Sequence, residues 1–158
     1  MAFVEIGIAF ATRLLLVMLF MPFSALDKIL DFSGAKRQAQ EAVSSSGAAT
    51  AMVAAGACVE IFMSAGVLTG TADRAAALVL AGYCGLTALL WKQFWRPGDF
   101  WALGDSKARG LFWDFWKNLA LAGGFLLITF GTSASTVTTF LNQPFSSTHP
   151  YSVARGEP

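Results

Sequence analysis

The sequence predicts an all-α polytopic membrane protein, an antiparallel bundle of four transmembrane helices, from three observations. Hydrophobic residues make up 55% of the 158-residue chain and charged residues only 13%. The apolar residues come in long blocks, not in the broken stripe of a soluble amphipathic helix. Four of those blocks, 3–23, 48–68, 75–94 and 111–130, reach the roughly 20 residues that cross a hydrocarbon core at about 1.5 Å per residue. They form one membrane domain over 1–142, followed by a polar tail over 143–158. A soluble four-helix bundle is disfavoured because no side chain from Leu119 to Gln143 is ionisable, a length that a water-facing helix interrupts.

The first block has no basic leader, carries Glu5 near its start and lacks a small-residue cleavage site after Phe23, so it is expected to be a retained span and not a secretory signal. "SALDKILDF" continues from it, Lys36 to Val43 is predicted to form a short interfacial helix, and Ser44 to Gly47 is a flexible break. The second block opens with "AATAMVAAGA", small side chains that let membrane helices approach closely. Gly66, Gly70, Gly82, Gly85, Gly123 and Gly124 are expected to be further close-contact points. All five tryptophans, Trp91, Trp95, Trp101, Trp113 and Trp116, fall around the loop between the third and fourth blocks. There they form either an aromatic belt at the headgroup boundary or the stacking mouth of a site for an aromatic, quinone-like molecule. Pro97, Gly98, Gly104 and Gly110 break helical structure in that loop. The tail is expected to be poorly ordered unless a partner holds it.

Four spans put both termini on one side and the long loops, 24–47 and 95–110, on the other. Lys28, Lys36, Arg37, Lys92, Arg96, Lys107 and Arg109 cluster at the long-loop end, against Arg74 and Arg155 at the opposite one. The positive-inside tendency therefore predicts cytoplasmic long loops and external termini. The corresponding location is a bacterial or archaeal plasma membrane.

Ionisable groups inside the spans carry the functional information, since each costs about 2.5–3.5 kcal/mol at the bilayer centre on insertion scales. Counted from the long-loop face at the helical rise, Arg13 lies about 15 Å deep and Glu60 about 16 to 18 Å deep. At one level on neighbouring helices, they are expected to form an ion pair. Lys117, about 9 Å from the same face, extends this into a polar ladder with Asp114, Asn118 and the Asp27/Lys28 pair. Such a ladder is either a salt-bridge network that only fixes register or a pocket that binds a polar headgroup and moves protons.

An arginine in "FATRLLLVMLF", then "FSALDKILDF", "CVEIFMSAGVLTGTADRAAAL" and above all "FWKNLALAGGFLLI" resemble the DoxX family (DoxX/DoxD-like small integral membrane proteins) from Arg13 to Phe130. The resemblance implies that Arg13, Lys28, Glu60, Lys117 and Asn118 are polar signature positions. Ala25 departs from the glycine that family members often carry after the serine. The resemblance also implies a redox setting, because relatives form a membrane thiosulfate:quinone oxidoreductase.

The residues limit the redox chemistry. His149 is the one histidine, so bis-histidine haem ligation in the bundle is excluded and no metal site is expected. There is no CxxC pair, glycine-rich phosphate loop or dinucleotide fingerprint. Cys58 and Cys84 lie near the middles of their spans and are expected to serve as small buried apolar residues. The expected function is a membrane subunit of a quinone-linked redox complex. Glu60 and Lys117 take the catalytic proton and hydrogen-bonding roles, while Arg13, Lys28 and Asn118 line the substrate pocket. No covalent cofactor is expected, only a bound quinone; the partners are the bilayer, companion subunits or further copies of the chain, and not nucleic acid. The alternative is a structural anchor with no chemistry of its own. A small carrier working as an oligomer ranks behind both.

Overall fold

In the computed structural model, which describes residues 2–152, every regular element is helical. Helix α1 (Ala2–Val17) runs through a π-helical turn (Leu19–Ser24) into α2 (Ala25–Leu30), and α3 (Phe32–Gln40) folds back from its end. Then come α4 (Ser46–Thr69), α5 (Asp73–Trp91), α6 (Lys107–Phe130) and a short α7 (Ala134–Asn142). Four helical stretches are long and apolar enough to cross a membrane, the first running from Ala2 to Leu30. The first span was expected to end at Phe23; it continues because the π turn absorbs Pro22, which lacks an N–H and would break a tighter helix.

Helix α5 packs along both α4 and α6, and α1 closes on α4, whereas α1 meets α6 at only a few points. The shared core is Val17, Phe20, Val67, Leu80, Cys84 and Phe125, with Ala76, Ala77 and Ala81 letting α5 approach its neighbours. Most large apolar side chains point the other way: Phe3, Ile8, Leu15, Phe62, Leu86 and Leu127 are exposed on the outside of the bundle. That inversion suits a hydrocarbon solvent, in which backbone groups must be satisfied internally while apolar side chains face out. Cys58 lies on this outer face while Cys84 is buried, so only the second fills the small core role expected of both. Of the glycines expected at close contacts, Gly66 faces Ala76 and Gly124 faces Leu16, but Gly82, Gly85 and Gly123 have open space beside them.

Both ends of the bundle are tied down. At the long-loop end, α3 packs Ala39 against Ala49 and Val53 of α4. It begins at Asp31, whose side chain accepts the Gly34 N–H at 2.9 Å, and Trp91 Nε1 donates to Gln38 O at 3.1 Å. In the second long loop, the Asp99 carboxylate accepts the N–H groups of Lys107 (2.7 Å) and Ala108 (3.0 Å). Arg109 donates to the carbonyls of Phe100, Ala102 and Gly104. This ordered loop presents Trp101 and Leu103 almost fully exposed.

At the short-loop end the tail is not loose over residues 143–152. The Thr148 N–H and hydroxyl both donate to the Asp73 carboxylate, and the Tyr151 hydroxyl donates to Leu68 O. The tail finds its partner within the chain, because Asp73 is a fully buried carboxylate needing donors. Residues 153–158, Arg155 among them, lie outside the described residues.

Two outcomes follow. The Ala108 N–H, then the Lys107 N–H and the Arg109 charge, hold Asp99 below the usual carboxylate range. Its support of the loop is therefore present above the ordinary carboxylate value and is lost as pH falls through the depressed one. Hydrogen-exchange protection of the Lys107 and Ala108 amides should persist down to about pH 4 and decline below it, and Asp99→Ala should remove it at every pH. At the other end, Asp73→Ala leaves Arg13 buried without its counter-charge and should cost about 3–5 kcal/mol. Thr148→Val should cost about 1–3 kcal/mol; unfolding of each variant in mixed micelles checks both.

Candidate functional site

Glu60 sits on the inner face of α4 with 2% of its surface exposed. A buried carboxylate needs both charge compensation and hydrogen-bond donors, and three elements supply them. From α2, Lys28 Nζ lies 2.8 and 2.9 Å from the two carboxylate oxygens. From the end of the π turn, Ser24 Oγ donates to Oε1 at 2.9 Å while accepting from Lys28 Nζ at 2.6 Å. From α5, the Tyr83 hydroxyl donates to Oε1 at 2.8 Å. Ser24 and Lys28 act together because residues four apart share a helix face.

These groups form the inner wall of a cavity of about 570 Å³. Phe20, Trp91 and Thr87 contribute further wall, Asn118 reaches in from α6, and Asp27, Asp31, Gln38 and Lys92 stand around it at the long-loop end. Asn118 makes one long side-chain hydrogen bond, 3.4 Å to Thr87 Oγ1. The cavity thus combines a charge-compensated polar floor, aromatic walls and an amide with spare hydrogen-bonding capacity.

The sequence expectations divide cleanly here. Lys28, Glu60 and Asn118 come together in this cavity, but Arg13 and Lys117 do not join them. The expected Arg13–Glu60 pair is corrected to two pairs. Arg13 lies 2.8 Å from Asp73 Oδ2 and donates to Val67 O and Thr148 Oγ1, each at 2.6 Å. The depth count ended the first span at Phe23; continuation to Leu30 moves Arg13 about 10 Å further from the long-loop end, to the level of the α4–α5 turn. Lys117 is 72% exposed in its side chain and lies 3.6 Å from Asp114. Neighbouring helical residues point about 100° apart, so with Asn118 facing inward, Lys117 faces out.

Sequence inspection did not single out Tyr83, Ser24, Asp73 or Thr148. A tyrosine in mid-span was the available signal for the first, since a phenol there needs a hydrogen-bond partner. Asp73, in "GTADRA", resembled an exposed turn residue, and only the folded tail buries it. Among the tryptophans, Trp91 lines the cavity, while Trp95, Trp101, Trp113 and Trp116 are more than half exposed.

The pair should be measurable as a coupling. Lys28→Met strands the Glu60 charge and should destabilise the protein by about 3–5 kcal/mol, whereas Lys28→Met with Glu60→Met should cost much less than the two single changes summed. Lys117→Met should shift stability by no more than about 0.5 kcal/mol. A double-mutant cycle by unfolding in mixed micelles distinguishes these values.

The DoxX family model matches residues 8–93, more than half of the chain. That stretch contains Arg13, Ser24, Lys28, Glu60, Asp73 and Tyr83 but stops before Asn118. No curated protein and no solved structure matches the chain. With its family match and four membrane-length helices, this chain is an integral membrane protein that belongs to the DoxX family.

Proposed function

We propose that the chain is the membrane subunit of a quinone-linked redox complex and that the Glu60 cavity binds the quinone headgroup. The observation that carries this reading is the combination, in one cavity, of the Lys28–Ser24–Glu60–Tyr83 network with the underused Asn118 amide. A quinone headgroup is a flat ring with hydrogen-bond-accepting carbonyls, so it matches aromatic walls and N–H donors. Asn118 donates to one carbonyl. Lys28 can turn the N–H that it gives Glu60 Oε1 to the headgroup without orphaning the carboxylate, because Ser24 and Tyr83 continue to hold that oxygen while Lys28 keeps Oε2. Protons exchange through the Lys28–Glu60 pair with the long-loop side, where Asp27 and Asp31 stand. The chain has no electron-carrying motif, so a partner subunit supplies the two electrons that quinone reduction requires.

One observation favours the alternative, a structural anchor. All three Lys28 N–H bonds are already taken, two by Glu60 and one by Ser24, as a network built only for helix register would be.

Titrating the full chain in nanodiscs with duroquinone, a tailless benzoquinone, separates the two. Quenching of tryptophan fluorescence should saturate, because Trp91 lines the cavity, and Asn118→Leu should weaken binding about tenfold through the lost hydrogen bond. Absence of saturable quenching in the parent protein would sink the quinone reading and leave the anchor.

A further inference from the structure

Asn118 has most of its hydrogen-bonding capacity free, and its neighbour Thr87 decides which part of the amide a ligand meets. Both residues line the cavity, Thr87 from α5 and Asn118 from α6. The Thr87 hydroxyl has one proton, and it goes to Cys84 O at 3.0 Å, a bond to the preceding turn that threonine often makes in a helix. Thr87 Oγ1 can therefore only accept from Asn118, and it receives Nδ2 at 3.4 Å. The opposite orientation would set the amide oxygen against a hydroxyl oxygen with no proton to give. Asn118 is thus held with Nδ2 toward Thr87, and its Oδ1 accepts no hydrogen bond among the described residues.

The other inner groups make the inventory lopsided. Ser24 and Tyr83 spend their hydroxyl protons on Glu60, Lys28 spends its N–H groups on Glu60 and Ser24, and Trp91 Nε1 donates to Gln38 O. Among these groups the donor left over is the second Asn118 N–H. Acceptors have more room: Asn118 Oδ1 is free, and Glu60 Oε2 receives only Lys28, whereas Oε1 receives Lys28, Ser24 and Tyr83. At the rim, Asp27, Asp31 and Gln38 are exposed, so water satisfies them whichever ligand is bound. Lys92 there is turned to Asp114 at 3.3 Å.

We propose that the cavity prefers the reduced, hydroxyl-bearing form of its ligand to the oxidised, carbonyl form, and that Thr87 is the positioning residue that sets this preference through the Asn118 amide. This rests on the headgroup reading above and names the redox form that the site favours. A carbonyl oxygen only accepts, so a quinone uses the free Asn118 N–H and must draw any further donor from Glu60. A hydroquinone donates its O–H groups, for which Oδ1 and Oε2 are open, and no existing bond is broken. The difference is the net worth of about one hydrogen bond, roughly tenfold in affinity. Tighter binding of the reduced form by that factor raises the two-electron potential of the bound couple by about 30 mV, which favours electron flow from a partner onto the bound quinone. A fully engaged Lys28 suits such a site, because its bonds stay in place when the reduced form binds.

Anaerobic calorimetric titration of the full chain in nanodiscs with duroquinone and with its reduced form, duroquinol, tests this, with protein-free nanodiscs as the blank for partitioning. The parent protein should bind duroquinol about tenfold more tightly. Thr87→Val keeps the shape but removes the hydroxyl, which frees the amide to turn either end to the ligand, and the ratio should fall to within about twofold. Thr87→Ser restores the acceptor and should return the ratio to its parental value, whereas a merely structural Thr87 would change stability and leave the ratio alone. The parental ratio tests the preference even where a variant fails to assemble. Equal affinities or tighter duroquinone in the parent, a parental ratio kept by Thr87→Val, or a Thr87→Ser ratio like that of Thr87→Val overturns the proposal while the headgroup reading stands. If neither probe binds the parent saturably, the headgroup reading falls and the redox preference falls with it.

Discussion

A carboxylate inside an apolar bundle must find its counter-charge within the bundle, and that requirement organises this protein. Two carboxylates are almost completely buried, Glu60 on α4 and Asp73 at the start of α5. Both are compensated by cations from the first span, Lys28 and Arg13 respectively. Two ion pairs separated by fifteen residues along one span leave it little freedom to slide or rotate against α4 and α5. Each alone is weak evidence of stability, because desolvation offsets much of the Coulomb gain, but a wrong register would strand buried charges. Their clearest effect is therefore on which arrangement of helices is tolerated.

The same division accounts for where the bundle is loose. Helix α5 is packed along both α4 and α6, and Lys92 at the end of α5 pairs with Asp114 of α6 at the long-loop end. Among the described residues no ion pair joins α1 to α6. An apolar groove lined by Ala9, Leu16, Gly124 and Ile128 opens between these two helices, whereas the polar cavity is enclosed by the π turn, α2, α3, α4 and α5, with Asn118 reaching in from α6. The π turn contributes directly, since it changes the helical phase after Val17 and brings Ser24 and Lys28 to face Glu60. Widened turns of this kind frequently mark functional sites, and here the turn forms one edge of the cavity.

The short-loop end shows a different solution to the same electrostatic problem. Asp73 receives an arginine, a backbone N–H and a threonine hydroxyl, the last two from a tail whose polar composition suggested disorder. Polar composition suggests disorder because such a segment buries too little apolar surface to offset its ordering entropy. Here a few hydrogen bonds to a buried charge, which are stronger than neutral ones, supply the missing stabilisation.

Hydropathy and block length alone determine four membrane helices, their antiparallel order and some of the polar groups, Arg13 and Glu60 among them, that have to be compensated inside the bundle. Those properties are one-dimensional: a span is a count of apolar residues, and a buried charge announces itself by its surroundings in the chain. Glu60 was legible as an intramembrane charge for that reason, whereas Lys28, beyond the expected end of the first span, was marked chiefly by the family resemblance. Tertiary structure alone decided who pairs with whom. A helix that runs seven residues past its apparent end displaces every depth counted from it, as Arg13 shows, and a 100° step between neighbours separates an inward Asn118 from an outward Lys117. Tyr83 and Thr148 became partners of buried carboxylates only because α5 and the tail pack where they do. Pairing in a bundle depends on helical phase, tilt and the stopping points of helices, and these are set by packing between segments far apart in the chain.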